Sequence, residues 1–459
     1  MALQTEAPLR CKRCSVNDAV LKIRIDHVCS DCYCRFIATK TVKRLEVLNR
    51  DTRGTTPQHR QKVGSASEWR ANNSKASFLL GLSFGQSSAS LVAICEQIVV
   101  GRLAKGRDAA FTLHVVHVDT DLQSSEADKN GASSEQSRVT QLLDRWRLRF
   151  PRFTFERVPL ADVLELKAMD WSLLIPPGSE EMEENGGAAP SSPLSPAGRL
   201  RAMLSRLPSA SSRQDVLDML VRRLLIARAV AANHRALLLG CSTTALAERT
   251  LAETAKGRGF SLPWQIHDGP PAEDTGADAD GSARRPSTST LLYYPLRELF
   301  RKELVTYTGL TQPSLADLVF PPLPSAVSPL SSAPAATPPA VVSHKHLSIE
   351  EVMARYFAEV EENYPSVVAN VVKTATKLER RDDVDDDEDT WTRASETTGE
   401  RTTRRKYHGC GMCGMPLDDL GNERWKGEIG ELDNIDNTGS QQSSEPRRLC
   451  YGCERSVKG

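Results

Sequence analysis

Eight of the eleven cysteines in this 459-residue chain form four Cys-x-x-Cys pairs, two near each end. The pairs are Cys11 and Cys14, Cys29 and Cys32, Cys410 and Cys413, and Cys450 and Cys453. One Cys-x-x-Cys turn can direct two thiolates at a single ion, and two such turns complete the tetrahedral sulfur shell that zinc accepts. The sequence therefore predicts a structural zinc module at each end, over residues 1–48 and 401–459.

Other interpretations of these cysteines remain open. Cys11 and Cys14 could form a thioredoxin-like redox pair, but no βαβ pattern begins there, and all four N-terminal cysteines could simply pack in a core. The C-terminal pairs are separated by 36 residues, a long but tolerable loop, and they could instead complete mixed sites with the first module. Because zinc contributes about 10–16 kcal/mol in small domains, both modules should unfold without metal.

Cysteine usage and polarity also bear on the compartment. Paired Cys-x-x-Cys turns are typical of metal ligation in a reducing compartment. No apolar run approaches the roughly 18 residues of a membrane span, and the first thirty residues hold basic residues and cysteines instead of an apolar signal core. We expect a cytoplasmic protein with no membrane partner. With 59 basic and 59 acidic side chains, any surface for nucleic acid must be local.

Apolar runs alternate with helical patterns in the middle of the chain. Phe78–Leu82 is a short apolar run, residues 83–88 are small and mostly polar, and residues 89–100 have helical spacing. Further strand candidates are 111–118, 153–158 and 236–239, and further helix candidates are 139–150, 215–232, 243–255 and 296–307 behind Pro295. Strands that alternate with helices in this way indicate βαβ units and a parallel sheet. The fold class is therefore predicted to be α/β.

Composition divides the rest of the chain. The predicted α/β domain spans 76–320, with polar insertions near 121–136, 179–198 and 268–288, and a polar linker over 49–75 precedes it. Residues 321–343 are Pro-rich and predict an extended tether. A helical segment with an acidic run follows over 344–400, where Ser348 and Glu351 match a capping box.

The segment Ser83-Phe84-Gly85-Gln86-Ser87-Ser88 lies between a predicted strand and a predicted helix, where backbone N–H groups can bind phosphate. The candidate nucleotide-binding residues are Ser83, Gly85, Ser87 and Ser88, although a plain structural turn remains an alternative. The segment resembles the SGGxDS loop of PP-loop ATP pyrophosphatases, a family with an adenine nucleotide alpha-hydrolase-like fold.

Two positions depart from that loop. Phe84 stands in place of the first Gly, so the backbone cannot approach a phosphate closely. Ser87 stands in place of the Asp, which removes a hard oxygen ligand for magnesium. The sequence therefore predicts that this chain does not activate ATP competently.

The remaining cysteines do not provide the pair of thiols that thiolases of this group use. The chain has no cysteine between Cys95 and Cys241. Cys95 lies in the apolar helix and is interpreted as a core residue, and Cys34 is interpreted as a bystander of the first zinc set. Cys241 follows Gly240 at a strand end, the edge where ligands bind in open α/β sheets, but a lone thiol cannot replace a pair. We predict no catalytic residue.

Motifs along nearly the whole chain resemble those of the cytoplasmic tRNA 2-thiolation protein 2 family. They are the Cys11 to Cys32 module, residues 80–88, Gly240 with residues 247–251, residues 256–263, residues 295–297, and the terminal cysteine pairs. This resemblance implies a non-catalytic subunit that pairs with a catalytic PP-loop subunit. It also implies action on the wobble uridine of tRNA, with sulfur from a thiocarboxylated ubiquitin-like carrier.

Basic residues flank both predicted zinc modules. Lys40, Lys43 and Arg44 share one face of a predicted helix and are the candidate tRNA contacts, and residues 401–406 are also basic. A solvated surface is the alternative. Two other functions remain open: a self-sufficient ATP-dependent sulfurtransferase, and a zinc adaptor that does not bind tRNA.

Overall fold

The computed structural model describes nine stretches of the chain: 9–51, 76–122, 134–166, 169–174, 195–272, 290–320, 347–380, 409–417 and 449–458. Residues 52–75 of the linker predicted over 49–75, the tether at 321–343, the acidic run at 382–389 and the basic residues at 401–406 lie outside them. Most of the insertions predicted from composition also lie outside.

The N-terminal module is a small ribbon followed by a long helix. Strands β1 (Leu21–Ile23) and β2 (Asp26–Val28) pair antiparallel, and α1 runs from Ser30 to Asp51. Asp31 in the first turn and Arg50 in the last complement the helix dipole.

A five-stranded parallel sheet forms the centre of the molecule and confirms the predicted α/β class. Its strands are β3 (Ala76–Gly81), β4 (Phe111–Asp119), β5 (Thr154–Pro159), β6 (Ala236–Leu239) and β7 (Leu291–Tyr293). They lie in the order β5-β4-β3-β6-β7. The direction of the strand order reverses between β3 and β6, so the sheet has a topological switch point there.

Helices cover both faces of the sheet. Alternate β3 side chains, Phe78 and Leu80 on one face and Leu79 on the other, enter two separate apolar cores. The first face carries α1, α2 (Gln86–Leu103), α3 (Ser134–Arg149) and α8 (Arg301–Leu310). The second carries α4 (Pro196–Ser205), α5 (Ala210–Ala231), α6 (Thr243–Ala255), α7 (Leu262–Ile266), α9 (Ile349–Asn363), α10 (Pro365–Ala375) and α11 (Tyr451–Lys458).

The predicted helix at 296–307 was wrong at its start. Helix α8 begins at Arg301, because the Glu303 side chain caps its N-terminus. The Phe300 backbone N–H donates to Glu303 Oε2 at 2.9 Å. Leu296 and Leu299 precede it in a turn and are fully buried. Pro295 therefore begins a buried turn and not a helix.

Described residues lie within the approximate bounds of all three predicted insertions. Within 179–198, α4 already begins at Pro196, where Ser195 Oγ accepts from the Gly198 N–H at 3.1 Å. Within 268–288, Gly269 forms a β-bridge with Leu292 at the sheet edge. Helix α3 likewise begins at Ser134, inside the insertion predicted for 121–136.

The helical segment after the tether forms two helices that pack on α6. The predicted capping box is confirmed, with Ser348 and Glu351 exchanging bonds of 2.9 and 3.1 Å. The predicted helical segment is divided into two helices at Pro365, because a proline disfavours helical geometry at the residue before it, Tyr364.

Candidate metal centres and nucleotide loop

The N-terminal cysteines converge in the ribbon module. Sγ atoms of Cys11, Cys14, Cys29 and Cys32 all lie within 4.8 Å of one another, and Cys14 Sγ to Cys29 Sγ is 3.9 Å. Asn17 Nδ2 lies 3.8 Å from Cys29 Sγ. Around this cluster the ribbon exposes apolar side chains, with Ile25 82% and Val16 70% accessible. The ribbon is therefore exposed on one side, whereas Cys11, Cys29 and Cys32 are buried and join the apolar core on the first face of the sheet.

The C-terminal cysteines form a second cluster of the same size. Cys410, Cys413, Cys450 and Cys453 also place their Sγ atoms within 4.8 Å of one another, and Cys413 Sγ to Cys450 Sγ is 3.8 Å. The Cys450 N–H donates to Cys410 Sγ at 3.3 Å. The two sets are separate, so the mixed sites left open by the sequence do not form.

Both clusters fit a tetrahedral metal. Four thiolates about 2.3 Å from zinc lie about 3.8 Å from one another in a regular tetrahedron. The sulfur separations of 3.9 and 3.8 Å match that value. Four sulfur ligands leave no open position, so a metal in either cluster would stabilise structure and would not activate a substrate.

The second cluster is set into a buried charged network on α5 and α6. Arg258 Nη1 and Nη2 donate to Asp215 at 2.7 and 2.6 Å, and Nη2 also lies 3.6 Å from Cys453 Sγ. Glu253 and Lys256 join this network through short ion pairs. Burial favours the neutral acid, but the hydrogen bonds and charges of Arg258 and Lys256 hold the pKa of Asp215 well below its usual range.

Backbone contacts reinforce this attachment. Arg223 Nη1 donates to Met412 O at 2.6 Å, and the Asp170 N–H donates to Gly411 O at 3.1 Å. Ser456 Oγ donates to Asp215 Oδ2 at 2.6 Å. The cysteine-bearing segments are therefore held at several points by the α/β domain.

Two glycines allow the close approach of α11. Gly257 has φ +77°, and a Cβ there would lie 2.3 Å from the Tyr451 ring. A Cβ on Gly452 would lie 2.5 Å from Arg258 Cγ. Side chains at either position would separate α11 from the turn after α6.

Sequence reasoning did not identify the network as part of a site. One signal was available, because Asp215 and Arg223 are eight residues apart and fall on the same buried face of α5. Charged residues on an apolar helix face require partners. The partners themselves could not be identified, since Arg258 and Cys453 are 195 residues apart in the chain.

Phe84 fills the candidate nucleotide loop. It has φ +58° and is fully buried, with its ring 4.3 Å from the His117 ring and 5.2 Å from that of Phe320. The Phe320 N–H donates to Phe84 O at 3.0 Å. The Phe84 ring and the chain at Phe320 thus occupy the space beside the loop.

The polar groups of the loop mainly contact one another. Ser83 Oγ lies 3.2 Å from Ser88 Oγ, the Gly85 N–H lies 3.4 Å from Ser83 Oγ, and Ser88 Oγ donates to Gly85 O at 3.0 Å. A Cβ on Gly240 would lie 3.0 Å from Ser88 N, so the end of β6 packs directly on the start of α2. Ser87, the neighbour of Ser88 at the start of α2, is half-buried. This geometry matches a self-contained structural turn.

The other cysteines lie in three different settings. Cys95 is fully buried in α2, and burial raises the pKa of its thiol well above the usual range. Cys34 is half-buried on α1 and is not part of the N-terminal cluster. Cys241 is half-buried at the end of β6 and lines a cavity.

The candidate tRNA contacts lie together on α1, and two of them have acidic partners. Lys40 Nζ lies 2.9 Å from Glu298 Oε2, and Arg44 pairs with Asp268. Lys43 is exposed and forms no ion pair with the described residues. The three side chains therefore present less free positive charge than their number suggests.

Across the described ranges, none of the helices combines the length and the apolar character that a membrane span requires.

A family model described as cytoplasmic tRNA 2-thiolation protein 2 matches residues 348–455. A curated relative of that name from Phaeosphaeria nodorum is 32% identical over 449 residues, covering 97% of this chain and 94% of the relative. Its counterpart from Sclerotinia sclerotiorum is 33% identical over 361 residues, covering 79% of this chain and 80% of the relative.

Among solved structures, the U34-tRNA thiolase NcsA from Methanococcus maripaludis with its [4Fe-4S] cluster is similar to this chain with a TM-score of 0.43. Its sequence identity is 10%, and the match covers 82% of this chain and 91% of that one.

Proposed function

The chain belongs to the cytoplasmic tRNA 2-thiolation protein 2 family, and from this we propose that it is the non-catalytic subunit of a cytosolic tRNA thiolase complex. In this proposal the complex 2-thiolates the wobble uridine of tRNA. A catalytic PP-loop partner activates the uridine with ATP, and a thiocarboxylated ubiquitin-like protein delivers the sulfur. This chain contributes a scaffold and part of the surface that tRNA contacts.

The buried ring of Phe84 is the observation that most supports a non-catalytic role. A phosphate-binding loop requires close backbone approach, which a glycine permits and a buried aromatic side chain prevents. Here that ring is packed between His117 and Phe320. Binding a nucleotide in this loop would require the ring to leave a core position, at a cost of about 3–5 kcal/mol for the lost packing.

The cysteines support the same division of labour. The chain has no cysteine pair beside the loop, since Cys95 is buried in α2 and Cys241 is alone at the end of β6. A thiolase of this group would need one thiol as nucleophile and another to carry sulfur. We therefore assign sulfur chemistry to the partner.

We propose zinc as the metal of both clusters. Four thiolates at tetrahedral spacing suit zinc, and its role here would be to stabilise the modules. At the C-terminal cluster, the charge of Arg258 beside Cys453 would offset part of the negative charge of a four-thiolate site.

Reconstitution with the candidate catalytic subunit tests the proposal. Thiolated tRNA should form when this chain, the partner, ATP and the sulfur carrier are mixed, and should be absent when either subunit is left out. A self-sufficient sulfurtransferase would thiolate tRNA without the partner. A zinc adaptor would leave tRNA binding and thiolation by the partner unchanged.

Restoring the loop gives a second test. The double substitution Phe84→Gly and Ser87→Asp should not create thiolase activity in the isolated chain, because the cysteine pair is still missing. Wild-type chain and Phe84→Leu, which keeps the site apolar, are the matched controls. Thiolated tRNA from the double variant alone would refute the assignment of sulfur chemistry to the partner.

A further inference from the structure

Arg258, in the turn after α6, is a cation buried against the C-terminal cysteine cluster. The residue is 6% exposed, and its Nη2 donates to Cys453 Sγ at 3.6 Å. A thiolate that binds a metal can still accept a hydrogen bond from a neighbouring donor. Arg258 therefore contacts the sulfur ligands without being one of them.

The guanidinium is also held from its other side. Nη1 and Nη2 donate to the two carboxylate oxygens of Asp215 at 2.7 and 2.6 Å, and Ser456 Oγ donates to the same carboxylate at 2.6 Å. Each Nη atom carries two N–H groups, so Nη2 can donate to Asp215 and to Cys453 together. The bidentate pair thus fixes the guanidinium beside the sulfur.

A glycine inside the last cysteine pair makes room for the arginine. Gly452 immediately precedes Cys453, and a Cβ on it would lie 2.5 Å from Arg258 Cγ and 2.7 Å from Nε. These separations are too short for a real Cβ, so a side chain at 452 would push the arginine away from the sulfur. The contact between Arg258 and the cluster therefore depends on Gly452.

The N-terminal cluster has a neutral side-chain donor instead. Asn17 Nδ2 lies 3.8 Å from Cys29 Sγ. Lys12 and Arg13, inside the first cysteine pair, are exposed and pair with Asp26 at 2.6 and 3.6 Å. The two clusters thus differ in the charge of the side chain that donates to sulfur.

We propose that Arg258 is a positioning residue that strengthens zinc binding at the C-terminal cluster. Four thiolates around one zinc ion leave a net negative charge that is costly to bury. A charged N–H donor stabilises these thiolates more than the neutral thiols that remain after the metal is lost. The inference rests on the proposed zinc occupancy of both clusters and goes beyond it by assigning part of the affinity to one arginine.

Competition for zinc measures the effect at each cluster separately. The full-length zinc-loaded chain is titrated with a chelator of known zinc affinity, and cysteine alkylation followed by mass spectrometry reports which cluster has lost its metal. Arg258→Gln should weaken zinc binding at the C-terminal cluster about 10–100-fold, the usual effect of removing a group that orients a metal ligand. Zinc binding at the N-terminal cluster should stay the same, which makes it the internal control.

Two further variants separate the hydrogen bond to sulfur from general destabilisation. Arg222→Gln removes a half-buried arginine of α5 that donates to Tyr294 OH at 3.1 Å and Trp264 O at 3.0 Å. It should leave zinc affinity unchanged at both clusters. Arg258→Lys keeps the charge but lacks the planar fork of donors, so it should lose less zinc affinity than Arg258→Gln.

Gly452→Ala tests the approach of the arginine while its charge is retained. The new Cβ should displace Arg258 and weaken C-terminal zinc binding in the wild-type background, but it should add little in the Arg258→Gln background. If Arg258→Gln does not fold, Gly452→Ala and Arg258→Lys replace it.

Cobalt in place of zinc gives a spectroscopic readout. Arg258→Gln should shift the sulfur-to-cobalt charge-transfer band, because a sulfur ligand loses its hydrogen bond, and Arg222→Gln should not. A residue that only supports the fold would leave this band in place while all four sulfurs stay bound.

The outcomes distinguish this inference from the zinc proposal. Unchanged C-terminal zinc affinity in Arg258→Gln, or an equal loss in Arg222→Gln, would overturn the role of Arg258 alone. A wild-type C-terminal cluster that binds no zinc would overturn the zinc proposal, and this inference with it.

Discussion

The two cysteine clusters have the same ligands and nearly the same sulfur spacing, but their surroundings differ. The N-terminal cluster is formed by a contiguous stretch from Cys11 to Cys32 that includes its own β-ribbon. The C-terminal cluster is formed by two short segments, 409–417 and 449–458, and a buried arginine of the α/β domain lies beside it.

This difference indicates different roles for the metal. The N-terminal module contacts α8 through apolar side chains of the first-face core and through ion pairs such as that of Arg24 with Glu303 at 3.1 Å, in which Arg24 is partly exposed. The C-terminal cluster instead shares a buried charged network with α5 and α6. Metal loss should therefore remain local at the first cluster and spread to the α/β domain at the second.

The largest effect is expected from removing one ligand of each cluster. Cys410→Ser should lose one zinc and lower the melting temperature of the α/β domain by about 10 °C, because a loss of several kcal/mol shifts a domain of this size by about 2–4 °C per kcal/mol. Cys29→Ser should also lose one zinc but unfold residues 9–29 alone. Metal analysis and hydrogen exchange on both variants measure this. Equal destabilisation of α5 and α6 by the two variants would remove the distinction.

Breaking the buried ion pair should have the next largest effect. Arg258→Gln leaves Asp215 buried without its bidentate partner, although Lys256 still pairs with Asp215 and Glu253, and it should destabilise the chain by about 3–5 kcal/mol. Lys40→Gln, in a partly exposed pair with Glu298, should cost about 0–1 kcal/mol. Denaturant unfolding compares them, and similar midpoints would show that the network contributes little.

A glycine pair tests the close packing of α11 with an internal control. Gly257→Ala combines positive φ with a contact of 2.3 Å to the Tyr451 ring and should cost about 2–3 kcal/mol. Gly259→Ala, two residues on, meets no atom within 4 Å and should be nearly neutral. The melting temperatures of the two variants are compared after metal analysis shows that both retain their zinc. A neutral Gly257→Ala would mean that α11 does not pack this closely.

The smallest effect concerns tRNA binding beside the N-terminal cluster. Replacing Lys40, Lys43 and Arg44 together with Ala should weaken binding by the complex while leaving its zinc intact. Lys43→Ala alone should make the slope of log affinity against log salt shallower by about one unit. Lys40 and Arg44 should contribute less each, since their charges are already offset by Glu298 and Asp268. Lower affinity with an unchanged slope would place the tRNA contact elsewhere.

The sequence was sufficient for features that depend on local patterns. The cysteine pairs, the start of α6 at Thr243 and the capping box at Ser348 follow from spacing and side-chain type. The start of α8 was missed, because two signals pointed to different residues. Pro295 suggested an early start, whereas the capping carboxylate of Glu303 sets the start at Arg301.

Long-range partners could not be predicted in this way. Phe84 was expected to prevent phosphate approach, but its packing partner Phe320 is 236 positions later in the chain. The partners of Lys40 and Arg44 are likewise more than two hundred residues away. Periodicity and local composition carry no information about such pairs in a single sequence.

The most direct test of the central claim, that this chain supports tRNA thiolation without activating ATP, is exchange of labelled pyrophosphate into ATP by purified subunits. The isolated chain should give no exchange above background with or without tRNA, and adding the catalytic partner should produce it. Phe84→Leu in this chain should leave exchange by the complex unchanged. Exchange by the isolated wild-type chain would contradict the account.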